Sequence, residues 1–285
     1  MLLLRDYLSL FKEAAIAWVD DRAPSMGAAL AFYTAFSLAP LLVIVIAVAG
    51  MVYGADAARG AVVDQFSVLL GPVGADALEK LLVAAAIEKN GGIATAIGVV
   101  VLFVGATTVL VELEDDLDHI WEAPPRPHGG LLGLVYARLL SFSLILGIGF
   151  LLVVSLLLGG ALAALAHFWR FSVTSAGLVF VLDFAVAVAA FTVLFAMLYK
   201  WLPHVEIEWR DVWAGALVTA VLFNIGRLAI GFYLGNSAIA STYAAAGSFV
   251  VLLLWLYYSA QIFLFGAEFT WAYAKRRRGA AAGTG

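Results

Sequence analysis

Cysteine is absent from the 285-residue sequence, and charged side chains make up only 13% of it. The lack of cysteine excludes thiolate metal sites, a cysteine nucleophile and disulfide bonds. The charged fraction is about half of the ~25% that is usual in soluble domains, whereas the hydrophobic fraction reaches 64%. Together with a mean hydropathy of +1.02, these values predict a polytopic membrane protein.

Several functional motifs are missing as well. The sequence contains no glycine-rich phosphate loop and no Gly-x-Ser-x-Gly motif, so we expect no cofactor and no serine hydrolase. The only dense basic cluster is the Lys-Arg-Arg-Arg run at 275–278, and a nucleic-acid partner is not expected without a basic face. The N-terminus carries Arg5, Asp6 and Lys12 where a cleavable signal needs an uninterrupted apolar core, so no signal peptide is expected.

Long apolar segments occupy most of the chain. A helix needs about 20 apolar residues to cross the ~30 Å hydrocarbon core of a bilayer. Six segments meet this requirement, at 27–52, 91–113, 138–160, 176–199, 212–234 and 248–273. The predicted fold class is therefore all-α, with residues 1–285 forming a single membrane domain built on a bundle of six transmembrane helices.

Two further segments are predicted to be helical without crossing the membrane. Residues 2–19 should form an amphipathic helix on the membrane surface, because their apolar side chains recur at helical spacing. This stripe consists of Leu4, Tyr7, Leu8, Phe11, Ala15 and Trp18. Residues 55–90 should form a helical outer loop, since each of their two apolar stretches is too short and too charged to span.

The distribution of Lys and Arg outside the spans predicts the topology. The two termini and the second and fourth loops hold ten of these residues, whereas the other three loops hold four, namely Arg59, Lys80, Lys89 and Arg170. Cytoplasmic loops of membrane proteins carry the excess of positive charge. Both termini are therefore expected in the cytoplasm.

The fifth span, 212–234, carries Asn224 and Arg227 in its interior. A charge in mid-membrane costs roughly 2.5–3.5 kcal/mol on insertion scales, so it is rarely left facing lipid. The small and polar residues of this span recur every three or four positions and share one face, which contains Ala216, Ala220, Asn224, Arg227, Gly231 and Gly235. The bulky residues Val218, Val221, Ile225, Leu228 and Phe232 lie on the other side. The small, polar face is predicted to pack inside the bundle.

Asp183, in the fourth span, is the expected partner of Arg227. In a six-span topology both residues lie roughly 10 Å below the outer membrane boundary at ~1.5 Å of helix rise per residue. Two opposite charges at one depth neutralise and hydrogen-bond one another, whereas each would be costly alone. The alternative is that Arg227 meets Gln261 or an anionic group of a ligand.

Other intramembrane polar residues form two further candidate groups. Glu112, Arg138 and Glu268 lie near span ends at the cytoplasmic level, where they could line a gate or a headgroup site, or where Arg138 simply neutralises the acids. Gln261 and Tyr257, one helical turn apart, extend this polar surface upward or serve as core hydrogen-bonding groups.

Three remaining features have mainly structural interpretations. Pro40 cannot donate to the carbonyl group of Phe36, which predicts a kink in the first span. The motif Gly231-x-x-x-Gly235 is typical of helix packing, and it is also compatible with a homo-oligomer contact. The acidic run 112–118 is interpreted as a solvated helix end. No metal site is expected, because the four histidines are spread over three loops.

Four short stretches and one long one, taken together, resemble the YihY/virulence factor BrkB family of bacterial inner-membrane proteins. These are AALAFY at 28–33, SLAPL at 37–41, DHIW at 118–121, LYKWLP at 198–203 and the segment from Tyr243 through Trp255 to Glu268. Their order and spacing match across almost the whole chain, and Ala244 departs from a glycine found in many members. The resemblance implies six transmembrane helices and a bacterial cytoplasmic-membrane location.

The same resemblance implies less about activity. Members were once described as ribonuclease BN, an assignment now regarded as mistaken, and others are suspected of transporting lipids or small solutes. Our leading hypothesis is therefore transport or flipping of a lipid or amphipathic solute among the surrounding membrane lipids, and not an enzymatic activity. The alternatives are a structural or scaffold membrane protein and, third, a membrane-bound hydrolase.

Overall fold

The computed structural model describes residues 4–54, 56, 57, 59, 60, 63, 64, 79, 108–124, 176–236 and 244–282. All regular secondary structure in this part of the chain is helical. The chain divides into two compact units, Met1–Ala123 with Val188–Gly285, and Pro124–Ala187. The contacts reported below lie within the first of these units.

Five long helices are described. They are α1 (Leu4–Asp20), α2 (Ala23–Tyr53), α3 (Ala176–Trp201), α4 (Trp209–Asn236) and α5 (Ala244–Ala282). Residues 108–120 form a further helical segment, which begins inside the predicted span 91–113 and extends past its end. The described residues of the predicted segments 2–19, 27–52, 176–199, 212–234 and 248–273 are helical. Residues 91–107, segment 138–160 and most of the predicted outer loop 55–90 lie outside the described residues.

α5 is the helix that the others pack against, since it contacts α1, α2 and α4. Within the described part of the chain, its segment Phe249–Ala280 is the one helix both long and apolar enough to cross a membrane, with a mean hydropathy of 1.9. Ala187–Trp201 in α3 is a shorter apolar helix. The six-span count stays a prediction.

Two helix ends contain residues in the left-handed backbone conformation. Arg22, with φ 57°, lies between α1 and α2, and Pro24 follows in the first turn of α2, where its missing N–H costs nothing. Glu122, with φ 51°, follows the 108–120 segment, and the Ala123 N–H group donates to the Asp118 carbonyl oxygen at 2.8 Å. This is a Schellman-type end that stops the helical segment after Ile120.

α1 packs on α5 through a face that overlaps the predicted stripe only in part, since Phe11 of the stripe packs against Phe265 and Phe269. Leu10 and Ala14 of α1 are fully buried against Phe269 and Ala272 of α5. Leu8, which belongs to the predicted apolar stripe, is 65% exposed. The stripe was assigned for a helix lying alone on a membrane, whereas contact with α5 selects the side chains that point toward the bundle.

α2 presents a small and polar face to the bundle. Gly27, Ala31 and Ser37 are buried, and the Ser37 hydroxyl group donates to the Thr34 carbonyl oxygen at 3.1 Å. The helix continues through Pro40 to Tyr53. The Pro40 side chain lies outside the described residues, and the kink there stays a prediction.

Candidate functional site

α4 and α5 meet along a seam of glycines that face hydroxyl-bearing side chains. A Cβ atom at Gly215 would lie 1.7 Å from the Thr270 hydroxyl oxygen, and one at Gly226 would lie 1.9 Å from the Tyr258 hydroxyl oxygen. Neither distance is compatible with a real side-chain carbon, so glycine is required for the two helices to approach so closely. The pairings run in opposite directions along the chain, which makes α4 and α5 antiparallel neighbours.

Tyr199 ties α3 into this seam. Its hydroxyl group, which is fully buried, donates to the Phe263 carbonyl oxygen at 2.7 Å and lies 3.0 Å from the Thr219 hydroxyl oxygen. The Tyr199 ring also packs against the ring of Phe263, with centroids 5.0 Å apart. Three helices are therefore joined by one residue whose polar atom is satisfied by two partners.

A row of buried polar side chains lies on α4 and α5. Asn224 and Glu268 are completely buried, and Gln261 is partly buried. The Asn224 Nδ2 group donates to the Ala220 carbonyl oxygen at 2.9 Å, and Gln261 Nε2 donates to the carbonyl oxygens of Ala23 and Pro24 at 3.4 Å. The acceptor atoms of the same side chains lack hydrogen-bond donors. No described residue donates to the buried Asn224 Oδ1, to Gln261 Oε1 or to either carboxylate oxygen of Glu268.

The packing around two of these residues explains how they reach the interior. A Cβ atom at Gly27 would lie 2.0 Å from Gln261 Nε2, so the absence of a side chain in the first turns of α2 makes room for the Gln261 amide. Glu268 lies two helical turns further along α5, next to the Asp21 carboxyl group. Asp21 Oδ1 is in turn 4.0 Å from Nε2 of His119, whose side chain is 59% exposed.

The helical segment 108–120 brings two acids to a histidine from a distant loop. Nε2 of His204 lies 3.2 Å from Glu114 Oε1, and Nδ1 of the same ring lies 3.1 Å from Asp118 Oδ2. The backbone N–H group of His204 donates to the other Asp118 oxygen at 2.8 Å. The ligand atoms of Glu114, Asp118 and His204 all lie within 4.8 Å of one another.

The sequence predicted that the acidic run 112–118 is a solvated helix end. The structure shows that the run is not uniformly solvated. Asp116 is only 6% exposed, and burial, with smaller contributions from Glu112 and Asp115, raises the pKa of Asp116 to about 7. Glu112 is half-buried, and Asp115 is exposed. The interpretation failed because the surface of this segment is covered by neighbouring parts of the chain that periodicity alone does not identify.

Two of the four basic residues at 275–278 form ion pairs with other helices or their ends. Arg276 forms an ion pair with Glu13 at 2.6 Å and donates to the Ser9 hydroxyl group at 2.7 Å, both on α1. Arg277 turns to the start of α4, where it pairs with Glu208 and where its Nε atom lies 2.9 Å from Asp211 Oδ1. Two adjacent arginines therefore attach α5 to two different helices.

The pKa values of the two acids that contact Arg277 are shifted in opposite directions. Asp211 is fully buried, and this burial raises the pKa of Asp211 even though Arg277 acts in the opposite direction. Glu208 is exposed, and the hydrogen bond and positive charge of Arg277 lower the pKa of Glu208. Asp211 also lies in the first turn of α4, where the helix dipole favours a negative charge.

The predicted inward face of α4 is confirmed for the residues whose side chains are described. Ala216, Ala220 and Asn224 are fully buried, whereas Ile225 and Leu228 are about half exposed. The side chains of Asp183, Arg227, Gly231 and Gly235 and the whole of Arg138 lie outside the described residues. Tyr257 is half-buried one turn from Gln261, as its spacing predicts.

Three residues that make buried or ion-pair contacts in the structure were not among the predicted site residues. Tyr199 belongs to the stretch 198–203, which carries part of the family resemblance, His204 directly follows that stretch, and Asp211 directly precedes the predicted span 212–234. A polar residue at the end of an apolar segment was the available signal. It did not identify the partners, because His204 is 86 positions from Asp118 and Tyr199 is 64 positions from Phe263.

Comparison with known proteins identifies relatives over most of this architecture. The family model described as Virulence factor BrkB matches residues 15–284. The UPF0761 membrane protein of Tolumonas auensis is 29% identical over 191 residues, which cover 64% of this chain and 58% of the relative. No solved structure matches the chain significantly.

Two further relatives align over nearly the whole chain. UPF0761 membrane protein NMB0524 of Neisseria meningitidis serogroup B is 29% identical over 268 residues, 91% of this chain and 63% of the relative. UPF0761 membrane protein PSPA7_4558 of Pseudomonas paraeruginosa is 28% identical over 267 residues, 92% of this chain and 62% of the relative. The chain thus spans about three-fifths of the length of these relatives. By the extent of the family match, the chain is a membrane protein that belongs to the Virulence factor BrkB family.

Proposed function

We propose that this protein is a six-span protein of the bacterial cytoplasmic membrane that transports or flips a lipid or another amphipathic solute. The observation that carries the proposal is the row of buried acceptor atoms without hydrogen-bond donors among the described residues, on Asn224, Gln261 and Glu268. Leaving a buried polar group unsatisfied costs about 1–3 kcal/mol. Such groups inside a membrane helix bundle are typical of a pathway for a polar substrate or for water.

The spacing of the row suits a pathway rather than a single contact. Gln261 and Glu268 lie seven residues apart on α5, which places them on one face about 10 Å apart along the helix. The antiparallel register of the seam, in which Thr219 lies opposite Gly266 and Gly215 opposite Thr270, puts Asn224 at the level of Gln261. Acceptors therefore recur at two levels of the bundle.

The chemistry of the row favours a transported substrate that carries hydrogen-bond donors. Carboxylate and amide oxygens accept hydrogen bonds, so they match a headgroup that carries hydroxyl or ammonium donors. The absence of a nucleotide-binding motif in the sequence suggests passive or ion-coupled movement. A fluorescent phospholipid with such a headgroup is a suitable first probe.

The test measures movement of this probe across the membrane of proteoliposomes that contain the purified protein. Asn224→Leu should strongly reduce the flux without lowering the unfolding temperature, because the apolar residue removes an unsatisfied acceptor and has the same branched shape. Arg227→Ala should also abolish flux in protein that remains folded. Unchanged flux in both variants, or no flux above empty liposomes with the wild-type protein, would reject the transport proposal.

A structural role is the second candidate, and the two arginine contacts at the end of α5 favour it. Arg276 and Arg277 connect α5 to α1 and α4, as expected for a scaffold whose polar groups fix helix positions. Under this alternative Asn224→Leu changes stability or assembly and no flux is observed with any lipid. The flux and unfolding measurements, made on the same preparations, therefore separate the two functions.

A further inference from the structure

We propose that Glu114, Asp118 and His204 form a binding site for a divalent transition-metal cation of the Zn²⁺ type. This site lies outside the polar row of α4 and α5 and does not depend on transport. It also revises the sequence-based expectation that the protein has no metal site. That expectation considered the histidines and the acidic run separately, because no local spacing connects them.

The helix and the loop place two carboxyl groups beside the two nitrogens of one imidazole ring. Glu114 and Asp118 are four residues apart in the helical segment 108–120, so their side chains lie on the same face. His204 enters between them from the loop after α3, with one ring nitrogen directed to each acid at 3.2 and 3.1 Å.

The distance between Glu114 and His204 suits two ligands of one cation. Zn²⁺ binds imidazole nitrogen and carboxylate oxygen at about 2.0–2.2 Å in tetrahedral geometry, which separates two ligand atoms by about 3.3 Å. The observed separation of His204 Nε2 and Glu114 Oε1 is 3.2 Å. A cation can thus take its place at the edge between these atoms with small side-chain adjustments, and water can complete its coordination.

Asp118 has the position of a group that orients the histidine ligand. Metal-bound histidines usually donate their other ring N–H to a carboxylate, which fixes the tautomer and the ring orientation. Asp118 Oδ2 lies 3.1 Å from His204 Nδ1, and Asp118 Oδ1 accepts the His204 backbone N–H at 2.8 Å. Both the ring and the backbone of His204 are held by this one carboxylate.

The chemistry of the ligand side chains selects the kind of cation. The Glu114 and Asp118 side chains are only 12% and 17% exposed. Imidazole together with carboxylate selects transition metals over Mg²⁺ and Ca²⁺, which prefer oxygen ligands alone.

A cation at this point would fix the 108–120 segment to the loop between α3 and α4. The test uses the full-length protein in detergent, purified without a histidine tag and stripped with a chelator. Titration with Zn²⁺ should give one site per chain and a higher unfolding temperature, while Mg²⁺ should give neither. Co²⁺ should produce the visible absorption spectrum of a four- or five-coordinate nitrogen and oxygen site.

Variants assign the binding to these residues. His204→Ala and Glu114→Gln should abolish binding, and Asp118→Asn should weaken it by about 10–100-fold, as is usual for a group that orients a ligand. His119→Ala and Asp115→Asn, which change neighbours of the same types on the same helix, should bind like the wild type. His204→Gln is a second variant should the alanine variant fold poorly.

Two outcomes would overturn the site. One is the absence of stoichiometric Zn²⁺ binding by the folded wild-type protein. The other is wild-type affinity in folded His204→Ala or His204→Gln protein, which would assign the cation to another place. Neither outcome bears on the lipid flux experiment, and loss of flux does not affect the metal titration.

Discussion

The hydroxyl group of Tyr199 occupies the space that a side chain at position 266 would need. A Cβ atom built on Gly266 would lie 2.4 Å from the Tyr199 hydroxyl oxygen and 1.8 Å from the Thr219 hydroxyl oxygen. Position 266 on α5 must therefore be glycine for the hydrogen bonds between α3 and α4 to form at this point. The same logic applies along the seam to Gly215 and Gly226.

Gly266→Ala should lower the stability of the protein by about 1–3 kcal/mol, the usual cost of overpacking a well-filled core. The reason is that the added carbon displaces the Tyr199 and Thr219 hydroxyl groups. Gly279→Ala on the same helix is the matched control, because nothing lies within 4 Å of its Cβ position, and it should stabilise by up to about 1 kcal/mol through helix propensity. Thermal unfolding in detergent measures both, and equal effects would contradict the close packing.

Replacement of Arg277 by alanine should destabilise the protein clearly more than replacement of its neighbour Arg276. Arg277→Ala leaves the fully buried Asp211 carboxylate without its cation, and a buried charge without a partner is strongly destabilising. Arg276→Ala breaks a more exposed pair with Glu13, whose expected contribution is about 0–1 kcal/mol. Unfolding in detergent at low and moderate salt gives the comparison.

A double-mutant cycle identifies the cause of the Arg277 effect. Asp211→Asn should remove most of the penalty of Arg277→Ala, since no buried charge remains. Additive losses in the cycle would assign the effect to packing of the arginine side chain rather than to the ion pair.

Acid should destabilise the wild type more than the Glu208→Gln variant. Arg277 lowers the pKa of Glu208 from its ordinary value of 4.5, so the folded state favours the ionised carboxylate. This contribution to stability is complete above the unfolded-state value and is lost as the pH falls below about 4.5 through the folded-state pKa. Unfolding temperatures measured from neutral to acidic pH should converge for the two proteins at the acidic end, and parallel curves would contradict the effect.

Asp183 and Arg227 are predicted to form an ion pair inside the bundle. The buried position of Asn224, three residues from Arg227, agrees with an inward orientation of this face of α4. Asp183→Asn or Arg227→Gln alone should destabilise more than the two together, because a lone buried charge remains in each single variant. A double-mutant cycle on thermal stability tests the pair, and strictly additive losses would favour Gln261 or a ligand anion as the partner of Arg227.

The predicted topology places both termini in the cytoplasm. A reporter fused after Gly285 should be active only on the cytoplasmic side, and so should one inserted near Pro125, whereas one near Asn90 should be active only outside. This follows from the excess of Lys and Arg in the first set of segments. Activity of the Asn90 and Gly285 reporters on the same side would contradict the six-span count.

Helix positions were accessible from the sequence because they depend on local properties. The apolar segments around α2, α3, α4 and α5 were predicted to within a few residues at most ends, since the hydrophobic length needed for a span is a strong constraint. The inward face of α4 was also correct for Ala216, Ala220 and Asn224, because small and polar residues at helical spacing avoid lipid.

The buried face of a helix could not be predicted from the sequence where a particular neighbouring helix selects it. For α1 the predicted stripe included Leu8, which the structure exposes, while Leu10 and Ala14 pack on α5. The sequence of α1 shows that it is amphipathic, but apolar side chains occur on more than one side of it. The choice among them is made by the shape of α5.

The sequence by itself determined the membrane class of this protein, the approximate positions of the long helices that the structure describes and the family to which it belongs. These properties follow from composition and from periodic patterns within single segments. Only the tertiary structure decided that His204 meets Glu114 and Asp118, that Tyr199 requires Gly266, and that two adjacent arginines hold different helices. Such contacts join residues far apart in the chain, and their geometry is fixed by how the helices pack, which no local pattern specifies.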